Sequence, residues 1–182
     1  MNKFSITTKT GDQGLTRLFS GEKVLKNSSR LETYGDLDEL VSLLSIARHS
    51  VTKKELKSDI LFIQRQLFTI GSELATTETK LSKLKERVDV KFLEGLETKR
   101  IALEEKVEIP RDFIIPGNTL SSAYLDLARA VSRRCERKVV GLISEKSLTN
   151  ETILIWFNRL SDYLYLMARY EEGTYLLAKE KS

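Results

Sequence analysis

Four arginines that lie close together are the residues of this sequence best suited to chemistry. Arg129, Arg133, Arg134 and Arg137 fall within nine residues, and Glu136 is the one carboxylate among them. A guanidinium can bind two oxygens of one phosphate or carboxylate, so the group favours a polyphosphate ligand or an acidic partner. The spacing alone is more typical of a solvated helix face, on which ion pairs are weak.

A second segment with phosphate-binding chemistry, Thr8-Lys-Thr-Gly-Asp-Gln-Gly14, lies near the N terminus. Glycines let backbone N–H groups approach phosphate oxygens, Lys9 adds a positive charge, and Asp12 can bind Mg²⁺ or orient the loop. The pattern is neither a Walker A motif nor a dinucleotide fingerprint, because no strand–loop–helix context surrounds it. Taken alone it is more typical of a flexible surface turn.

Three further groups of residues are weaker candidates for a site. The segment Asp36-Leu-Asp-Glu39 can form a carboxylate cluster, although acids are common in the first turn of a helix. Asn158 and Asp162 are four residues apart, so they can share a helix face toward a ligand or toward solvent. Phe113 and the two isoleucines after it can wall a hydrophobic pocket, but such residues more often belong to the core.

The composition excludes several classes of protein. The formal net charge of +4 over 182 residues tolerates anionic ligands without indicating nucleic acid. One cysteine, Cys135, excludes an internal disulfide, and its place on an apolar stripe indicates a small buried residue. One histidine, His49, excludes a zinc site that needs two imidazoles. The N terminus lacks an apolar signal segment and no apolar run could span a membrane, so we expect a soluble, cytoplasmic protein.

The elements that must position these residues are predicted to be helices. Residues 1–29 have no helical period and predict an extended, loop-rich arm. Apolar residues recur every three or four positions over the ranges 31–50, 53–75, 90–103, 119–143 and 151–179. No alternating pattern predicts a strand, and the charged range 76–87 predicts a loop. The sequence therefore predicts one all-α domain over 1–182, with an antiparallel five-helix bundle over 30–182.

Taken in order, five segments resemble the PduO-type ATP:cob(I)alamin adenosyltransferases, and the match covers nearly the whole chain. They are Thr8-Lys-Thr-Gly-Asp-Gln-Gly14, Tyr34-Gly-Asp-Leu-Asp-Glu-Leu40, Phe113-Ile-Ile-Pro-Gly117, Ala128-Arg-Ala-Val-Ser-Arg-Arg-Cys-Glu-Arg137 and Phe157-Asn-Arg-Leu-Ser-Asp162. Their order and spacing make a specific signal, whereas each alone is weak. The resemblance implies a ferritin-like helical bundle whose arm binds ATP, assembled as a homotrimer with active sites between subunits.

The same resemblance implies a reaction and its partners. The family transfers the 5′-deoxyadenosyl group of ATP to Co(I) of cobalamin and releases inorganic triphosphate. ATP with Mg²⁺ is then the co-substrate and cobalamin the substrate, with no metal site in the protein itself. A flavoprotein reductase and an adenosylcobalamin-dependent enzyme are compatible partners, whereas neither nucleic acid nor a membrane is expected. Since Co(I) is a strong nucleophile, no general base is needed, which agrees with the single histidine.

Individual residues take roles by their place in the matching motifs. The residues implied to bind the nucleotide are Thr8, Lys9, Thr10, Gly11, Thr16, Arg17, Lys26, Arg133, Arg134, Cys135, Glu136, Arg137 and Asn158. The residues implied in catalysis are Arg133, Arg129, Asp38 and Phe113. Asp38 and Arg129 match an inter-subunit ion pair beside the corrin, and Phe113 matches the aromatic that displaces the lower axial ligand of cobalamin.

The chain departs from the family pattern at several positions. Gln13 stands where lysine is usual, Asn118 replaces a second glycine, and Asp126 stands where histidine is common. Ser28-Ser29 replaces an Asp-Pro pair before the first helix. We expect activity to survive these departures and affinity to differ.

Three other readings of the sequence compete with the enzyme. A degenerate member of the fold could carry or regulate ATP or cobalamin without turnover, although Arg133, Glu136 and Asn158 are retained. A basic helix could bind nucleic acid, but that function favours aromatic residues among the basic ones, and Tyr124 falls on the apolar face. A purely structural bundle leaves the arm rich in glycine, threonine and lysine unexplained.

Overall fold

Five α-helices make up most of the structure, a computed structural model that describes residues 7, 9 and 11–179. The helices are α1 (Ser29–Ser50), α2 (Lys54–Leu74), α3 (Val90–Glu104), α4 (Leu120–Ser144) and α5 (Glu151–Glu172). The prediction of a mainly helical chain is confirmed. A short 3₁₀ helix, Glu78–Lys83, lies within the range for which the sequence predicts a loop.

The fifth helix is shorter than its apolar pattern predicts. It ends at Glu172 instead of residue 179, because Gly173 adopts a left-handed conformation with φ 67°. The N–H of Gly173 donates a hydrogen bond of 3.1 Å to the carbonyl of Arg169 and closes the last turn. Glycine reaches this conformation without a Cβ penalty, so it is a common helix terminator. The chain beyond it is free to form a strand.

Four short strands contradict the prediction that the chain has none. In the arm, β1 (Leu15–Arg17) and β2 (Lys23–Leu25) form an antiparallel hairpin. Far apart in sequence, β3 (Ile114–Ile115) pairs antiparallel with β4 (Leu176–Leu177). Strands of two or three residues are too short to show an alternating pattern, so periodicity could not have found them.

The arm hairpin is attached to the bundle by polar contacts beyond the end of α2. The backbone N–H of Ser20 lies 3.4 Å from the carbonyl of Ala75, and Lys80 Nζ donates to the carbonyl of Ser20 at 2.9 Å. Lys80 also forms an ion pair with Glu22 at 2.6 Å, and Thr77 Oγ1 donates to the same carboxylate at 3.1 Å. The lysine contact lowers the pKa of Glu22 to about 2. One end of the hairpin is thus anchored.

The core lies between the helices, with α4 packed against both α1 and α5. On the far side of α5, the indole of Trp156 is fully buried and meets Phe157 edge to face, with ring centroids 5.3 Å apart. Trp156 Nε1 donates to Gln66 Oε1 at 2.9 Å, and Gln66 Nε2 donates to the carbonyl of Phe92 at 3.1 Å. These bonds satisfy buried polar groups and join α2, α3 and α5.

Arg30 ties the start of α1 to the ends of two other helices. Its Nη1 donates to the carbonyls of Leu74 at 2.6 Å and Thr76 at 3.1 Å, and its Nη2 donates to that of Ser147. Carbonyls at a helix C terminus lack partners inside the helix and carry partial negative charge, so a guanidinium suits them. Among the described residues, no helix combines the length and apolar character needed to cross a membrane.

Candidate active site

Helix α4 turns its apolar stripe to the core and leaves its arginines outside. It begins with a capping box in which Thr119 Oγ1 accepts from the Ser122 N–H and Ser122 Oγ accepts from the Thr119 N–H. The fully or almost fully buried residues of the stripe are Leu125, Ala128, Val131, Cys135, Val139 and Leu142. Arg133 and Arg137 are exposed, whereas Arg129 is half-buried. The helix therefore presents guanidiniums at the protein surface.

Arg129 and Arg133 line the same cavity, as their spacing of four residues predicts. This cavity of about 310 Å³ lies between α3, α4 and α5. Its other lining residues are Arg100, Glu104, Ile109, Ser161, Asp162, Tyr165 and Leu166. Three guanidiniums against two carboxylates leave the cavity net positive, which suits an anionic ligand.

Arg134 points to partners in its own chain. Its guanidinium lies 3.4 Å from Asp36 and hydrogen-bonds to Glu39. One turn further along α4, Lys138 pairs with Glu32 at 2.9 Å and with Asp36 at 3.6 Å. The acids of α1 raise the pKa of Lys138, mainly through the hydrogen bond that Lys138 donates to Glu32. Of the predicted carboxylate cluster, Asp36 and Glu39 thus pair with basic residues of α4, whereas Asp38 lines a different groove.

Glu136 and Asn158 connect the two helices that carry the matching motifs. Asn158 Nδ2 donates to Glu136 Oε1 at 3.3 Å, which links α5 to α4. Asn158 Oδ1 accepts from Arg159 Nη1 at 2.7 Å, and Arg159 Nε donates to Glu97 of α3 at 2.5 Å. Asn158 is exposed and Glu136 half-buried, so both polar groups remain at the surface.

Cys135 stands apart from the other residues of its motif. Its side chain is fully buried on the core side of α4, away from the arginines. Burial raises the pKa of its thiol to about 12. The structure therefore places this thiol in the core, and it joins neither cavity that the arginines line.

The arm forms a separate, strongly basic cavity. It encloses about 830 Å³ and is lined by Lys9, Gly11, Asp12, Gln13, Leu15, Thr16, Arg17, Lys23 and Lys26. Four cations face one carboxylate, so the cavity attracts anions. The backbone of Gly11 approaches Lys26 so closely that a Cβ there would lie 2.9 Å from Nζ. Of the predicted arm residues, Thr8 and Thr10 lie outside the described part of the chain.

The arm cavity and the cavity of Arg133 share no lining residue. The predicted phosphate-binding groups therefore form two separate surfaces within one chain. The two residues of the predicted ion pair, Asp38 and Arg129, also lie on separate surfaces of the chain. Asp38 is exposed on α1, in a groove with Phe19, Tyr34 and Phe68, whereas Arg129 lines the cavities beside α4.

Phe113 lies on a loop beside a second cavity that Arg129 also lines. Its side chain is 90% exposed. The cavity of about 390 Å³ is formed by Pro110, Arg111, Asp112, Phe113, Ile114, Pro116, Asp126, Arg129, Tyr165 and Arg169. Arg129 thus lines both the cavity with the exposed Phe113 ring and the cavity of Arg133, and Tyr165 lines both as well. The predicted corrin residue Phe113 and the predicted nucleotide residue Arg133 therefore line two cavities that share Arg129.

Sequence reasoning missed a buried charge network beneath the Phe113 cavity. Arg169 Nη2 lies 2.6 Å from Asp126 Oδ2, and Arg169 Nε lies 2.6 Å from Glu172 Oε1. Glu171 accepts from Thr52 N–H at 2.7 Å and from Ser121 Oγ at 3.1 Å. The only signal of this network in the sequence is that charged residues, Arg169, Glu171 and Glu172, stand among the apolar residues of the last turn of α5.

The described residues contain no group of three or more His, Cys, Asp or Glu side chains that could hold a metal ion. Asp12 and Thr16, whose side chains carry oxygens, do line the arm cavity. Mg²⁺ commonly binds through substrate phosphates and one or two carboxylates, so these residues fit an ion that arrives with a nucleotide.

Comparisons with known proteins agree on one family. Residues 6–171 match the family model described as cobalamin adenosyltransferase. The chain is 38% identical to a corrinoid adenosyltransferase of Citrobacter freundii over 174 residues, covering 94% of this chain and 97% of the relative. It is 35% identical to the corrinoid adenosyltransferase PduO of Salmonella typhimurium, covering 93% of this chain but only 50% of that protein.

A solved structure is similar over nearly the full chain. It is a variant of the PduO-type ATP:corrinoid adenosyltransferase of Lactobacillus reuteri in complex with cobalamin and ATP. The TM-score is 0.88 at 32% sequence identity, and the alignment covers 97% of this chain and 100% of the other.

Proposed function

This chain belongs to the cobalamin adenosyltransferase family, and we propose that it transfers the 5′-deoxyadenosyl group of ATP to Co(I) of cobalamin. The products are adenosylcobalamin and inorganic triphosphate. The observation that carries the proposal is the position of Arg129. Arg129 lines both the cavity of Phe113 and the cavity of Arg133, so a corrinoid and a triphosphate can be held side by side.

The reaction is a nucleophilic substitution at the 5′-carbon of ATP. The electron pair of Co(I) forms the Co–C bond, the C5′–O bond breaks, and its electron pair leaves on the triphosphate. Cobalt is thereby oxidised from Co(I) to Co(III), so no proton needs to be removed from the nucleophile. The protein must align the carbon with the cobalt and stabilise the developing negative charge of the triphosphate.

Stabilisation of the triphosphate is the task we assign to the basic residues. The positive charge comes from Arg133 at its exposed cavity and from Lys9, Arg17 and Lys26 in the arm, and Asp12 would hold a Mg²⁺ ion that arrives with the nucleotide. Arg137, Glu136 and Asn158 extend the nucleotide site along α4 and α5. Gly11 and Thr16 let the backbone and a hydroxyl approach the phosphates.

We assign the two halves of the nucleotide site to two different copies of the chain in a homotrimer. The support is that the arm cavity and the Arg133 cavity share no residue within one chain. Asp38 is exposed on α1 beside the apolar side chains of Phe19 and Phe68, which are 74% and 67% exposed. A neighbouring copy would cover these rings and bring Arg129 to Asp38.

Phe113 acts on the substrate before the transfer. Its exposed ring takes the place of the lower axial ligand of Co(II) cobalamin, which makes the reduction to Co(I) easier. The electron comes from an external one-electron donor such as a reduced flavoprotein, and the product serves an adenosylcobalamin-dependent enzyme. We assign the protein to the reducing cytoplasm, where disulfides are rare, and its single cysteine, Cys135, is free and buried.

The test is an anaerobic assay with Mg-ATP and chemically reduced Co(I) cobalamin. A light-sensitive adenosylcobalamin spectrum together with stoichiometric inorganic triphosphate is expected. Binding of ATP and cobalamin without product would instead make the chain a carrier or regulator. Failure to bind ATP would leave the family membership as a statement about fold alone.

A further inference from the structure

The segment that carries Phe113 has little side-chain packing to hold it. The Phe113 ring is 90% exposed, and Ile115 and Leu120 are 50% and 70% exposed. An aromatic ring that must meet a substrate at a defined distance needs a defined backbone, because displacement by about 1 Å can cost roughly a hundredfold in rate. The backbone of this segment must therefore be held by other means.

One anchor lies at Phe113 itself. The N–H of Ala178 donates to the carbonyl of Phe113 at 2.8 Å, directly beside the pairing of Ile114 with Leu177. The two-residue strand β4 thus holds the segment on its N-terminal side. A strand pair this short contributes little stability, so it needs support from a second point.

The second anchor is a carboxylate at the end of α5. Glu172 Oε2 accepts from the backbone N–H of Asn118 at 3.2 Å, just after Gly117. Asn118 in turn donates from Nδ2 to the carbonyl of Thr174 at 3.0 Å. The segment is therefore held at its start, at Phe113, and at its end, at Asn118.

Glu172 is itself held by a buried arginine. Arg169 Nε lies 2.6 Å from Glu172 Oε1, and the Arg169 and Glu172 side chains are 1% and 0% exposed. Arg169 also pairs with Asp126 of α4 at 2.6 Å and lies over the ring of Tyr165, 5.0 Å from its centroid. One guanidinium joins α4, α5 and the carboxylate that holds the Phe113 segment.

The charges of Arg169 and its two carboxylate partners balance only when Arg129 is included. Asp126 and Glu172 carry two negative charges, and Arg169 with Arg129, whose Nε lies 3.9 Å from Asp126 Oδ1, carries two positive ones. Buried ion pairs contribute little net stability compared with apolar packing, because their desolvation is costly. A network of this kind next to a ligand cavity is better explained by the orientation that its short contacts impose.

We propose that Arg169 and Glu172 are positioning residues for Phe113, because their buried ion pair fixes the backbone that carries the ring. The inference rests on the proposed function. Arg169 lines the Phe113 cavity, whereas Glu172 lies outside the lining of both cavities, so Glu172 is the residue to test. The pair acts only through Phe113, so it should matter for the step that needs the ring and not for the adenosyl transfer that follows.

The experiment compares two starting points of the reaction in the full-length protein. Glu172→Gln keeps an oxygen for the Asn118 N–H but loses the ion pair with Arg169. From Co(II) cobalamin with a reduced flavoprotein, we expect its turnover to fall by roughly tenfold or more, with the KM for ATP unchanged. From chemically prepared Co(I) cobalamin, we expect turnover close to that of the unmodified protein. When Co(II) cobalamin is bound to the Glu172→Gln variant, its electron paramagnetic resonance spectrum should show a smaller fraction of four-coordinate Co(II).

A second variant tests the same idea without touching the core. Ala178→Pro removes the N–H that holds the Phe113 carbonyl, at an exposed position beyond α5. This variant should also lose turnover from Co(II) cobalamin while keeping turnover from Co(I) cobalamin. Cobinamide, a corrinoid without the lower nucleotide ligand, should restore much of the turnover from Co(II) in both variants, since no nucleotide base has to be displaced.

Glu73→Gln is the matched control. Glu73 is also a fully buried carboxylate at a helix end, and it accepts a backbone N–H from Val88 at 2.9 Å while pairing with Arg87 at 3.0 Å. It holds the segment before α3 rather than that of Phe113, so its loss should lower stability without the selective effect. If Glu172→Gln lost turnover equally from Co(II) and Co(I) cobalamin, or lost it from neither, the inference would be overturned. An unmodified protein that is inactive even with Co(I) would instead overturn the proposed function.

Discussion

Arg134 Nε lies 3.4 Å from Asp36 Oδ2, across the contact between α4 and α1. Its neighbour in the chain, Arg133, points instead into the cavity that it shares with Arg129. Two adjacent arginines of one motif therefore differ in what they contact, and the difference can be measured separately in activity and in stability.

Replacing Arg133 by alanine should abolish most adenosyl transfer and leave the fold intact. The exposed guanidinium contributes charge at the cavity and no core packing, and removal of one such group commonly costs about 10²–10³ in kcat. Steady-state kinetics from Co(I) and light scattering would measure activity and oligomeric state. Loss of the assembled state would mark Arg133 as an assembly residue instead.

Arg134→Ala serves as the comparison for stability. Its half-buried guanidinium pairs with Asp36 and Glu39, so we expect the free energy of unfolding to fall by about 0.5–1 kcal/mol. Denaturant unfolding of the two variants would measure the difference. Equal stability of both would show that the pairs with α1 contribute nothing.

Phe113→Ala should slow turnover from Co(II) while ATP affinity and melting temperature stay unchanged. The ring is 90% exposed in the chain, so its truncation removes no core packing. Calorimetric titration with ATP and turnover with a flavoprotein donor would measure the two effects. Unchanged turnover from Co(II) would exclude ligand displacement by this ring.

Gly117→Ala should destabilise the protein by about 1–3 kcal/mol, because two penalties combine there. Its φ is +82°, and a Cβ would lie 3.0 Å from the Cβ of Ala123 and 3.2 Å from its Cα. Gly21→Ala is the control, since its φ is +96° but the space around it is open. Denaturant unfolding of both should give the larger loss at Gly117. An equal loss would assign the whole effect to backbone conformation.

The attachment of the arm hairpin should weaken in acid. The hydrogen bond from Lys80 lowers the pKa of the Glu22 carboxyl from 4.5 to about 2. A lowered pKa in the folded state means that the carboxylate stabilises the hairpin fully above pH 4.5, and that this contribution is lost as the pH falls toward about 2. Carbon-13 NMR of the Glu22 carboxyl would follow its titration.

Lys80→Ala should move that midpoint back toward 4.5. The protection of the hairpin amides, corrected for the intrinsic pH dependence of exchange, should then fall between pH 4.5 and about 2 only in the unmodified protein. A Glu22 midpoint near 4.5 in the unmodified protein would contradict the attachment through Lys80.

Helices were predictable because their signal is local. The apolar period of α2 and α4 follows from contacts between residues three and four apart, and the capping residues Thr119 and Asn150 lie next to the helices they begin. The last turns of α5 were predicted wrongly, since one glycine at 173 outweighed an apolar pattern that continued beyond it.

The candidate site was predictable only in its residue types. The motifs identify Arg133, Phe113 and the arm as candidates, and their functional roles remain predictions. The sequence could not tell which arginine of the motif pairs with α1. Asp36 and Arg134 are far apart in the chain, and only the packing of α1 on α4 brings them together.

Local patterns in the sequence thus determined the helices and the motifs. The composition, with its single histidine and single cysteine, determined which kinds of site were excluded. Tertiary structure alone decided which charged groups are buried. Arg169 and Glu172 are polar residues that any local rule places at the surface, yet they lie under the Phe113 segment with Asp126 as a third partner. Burial of a charge is stable only when partners from other elements compensate it, and the positions of those partners are a property of the packed chain.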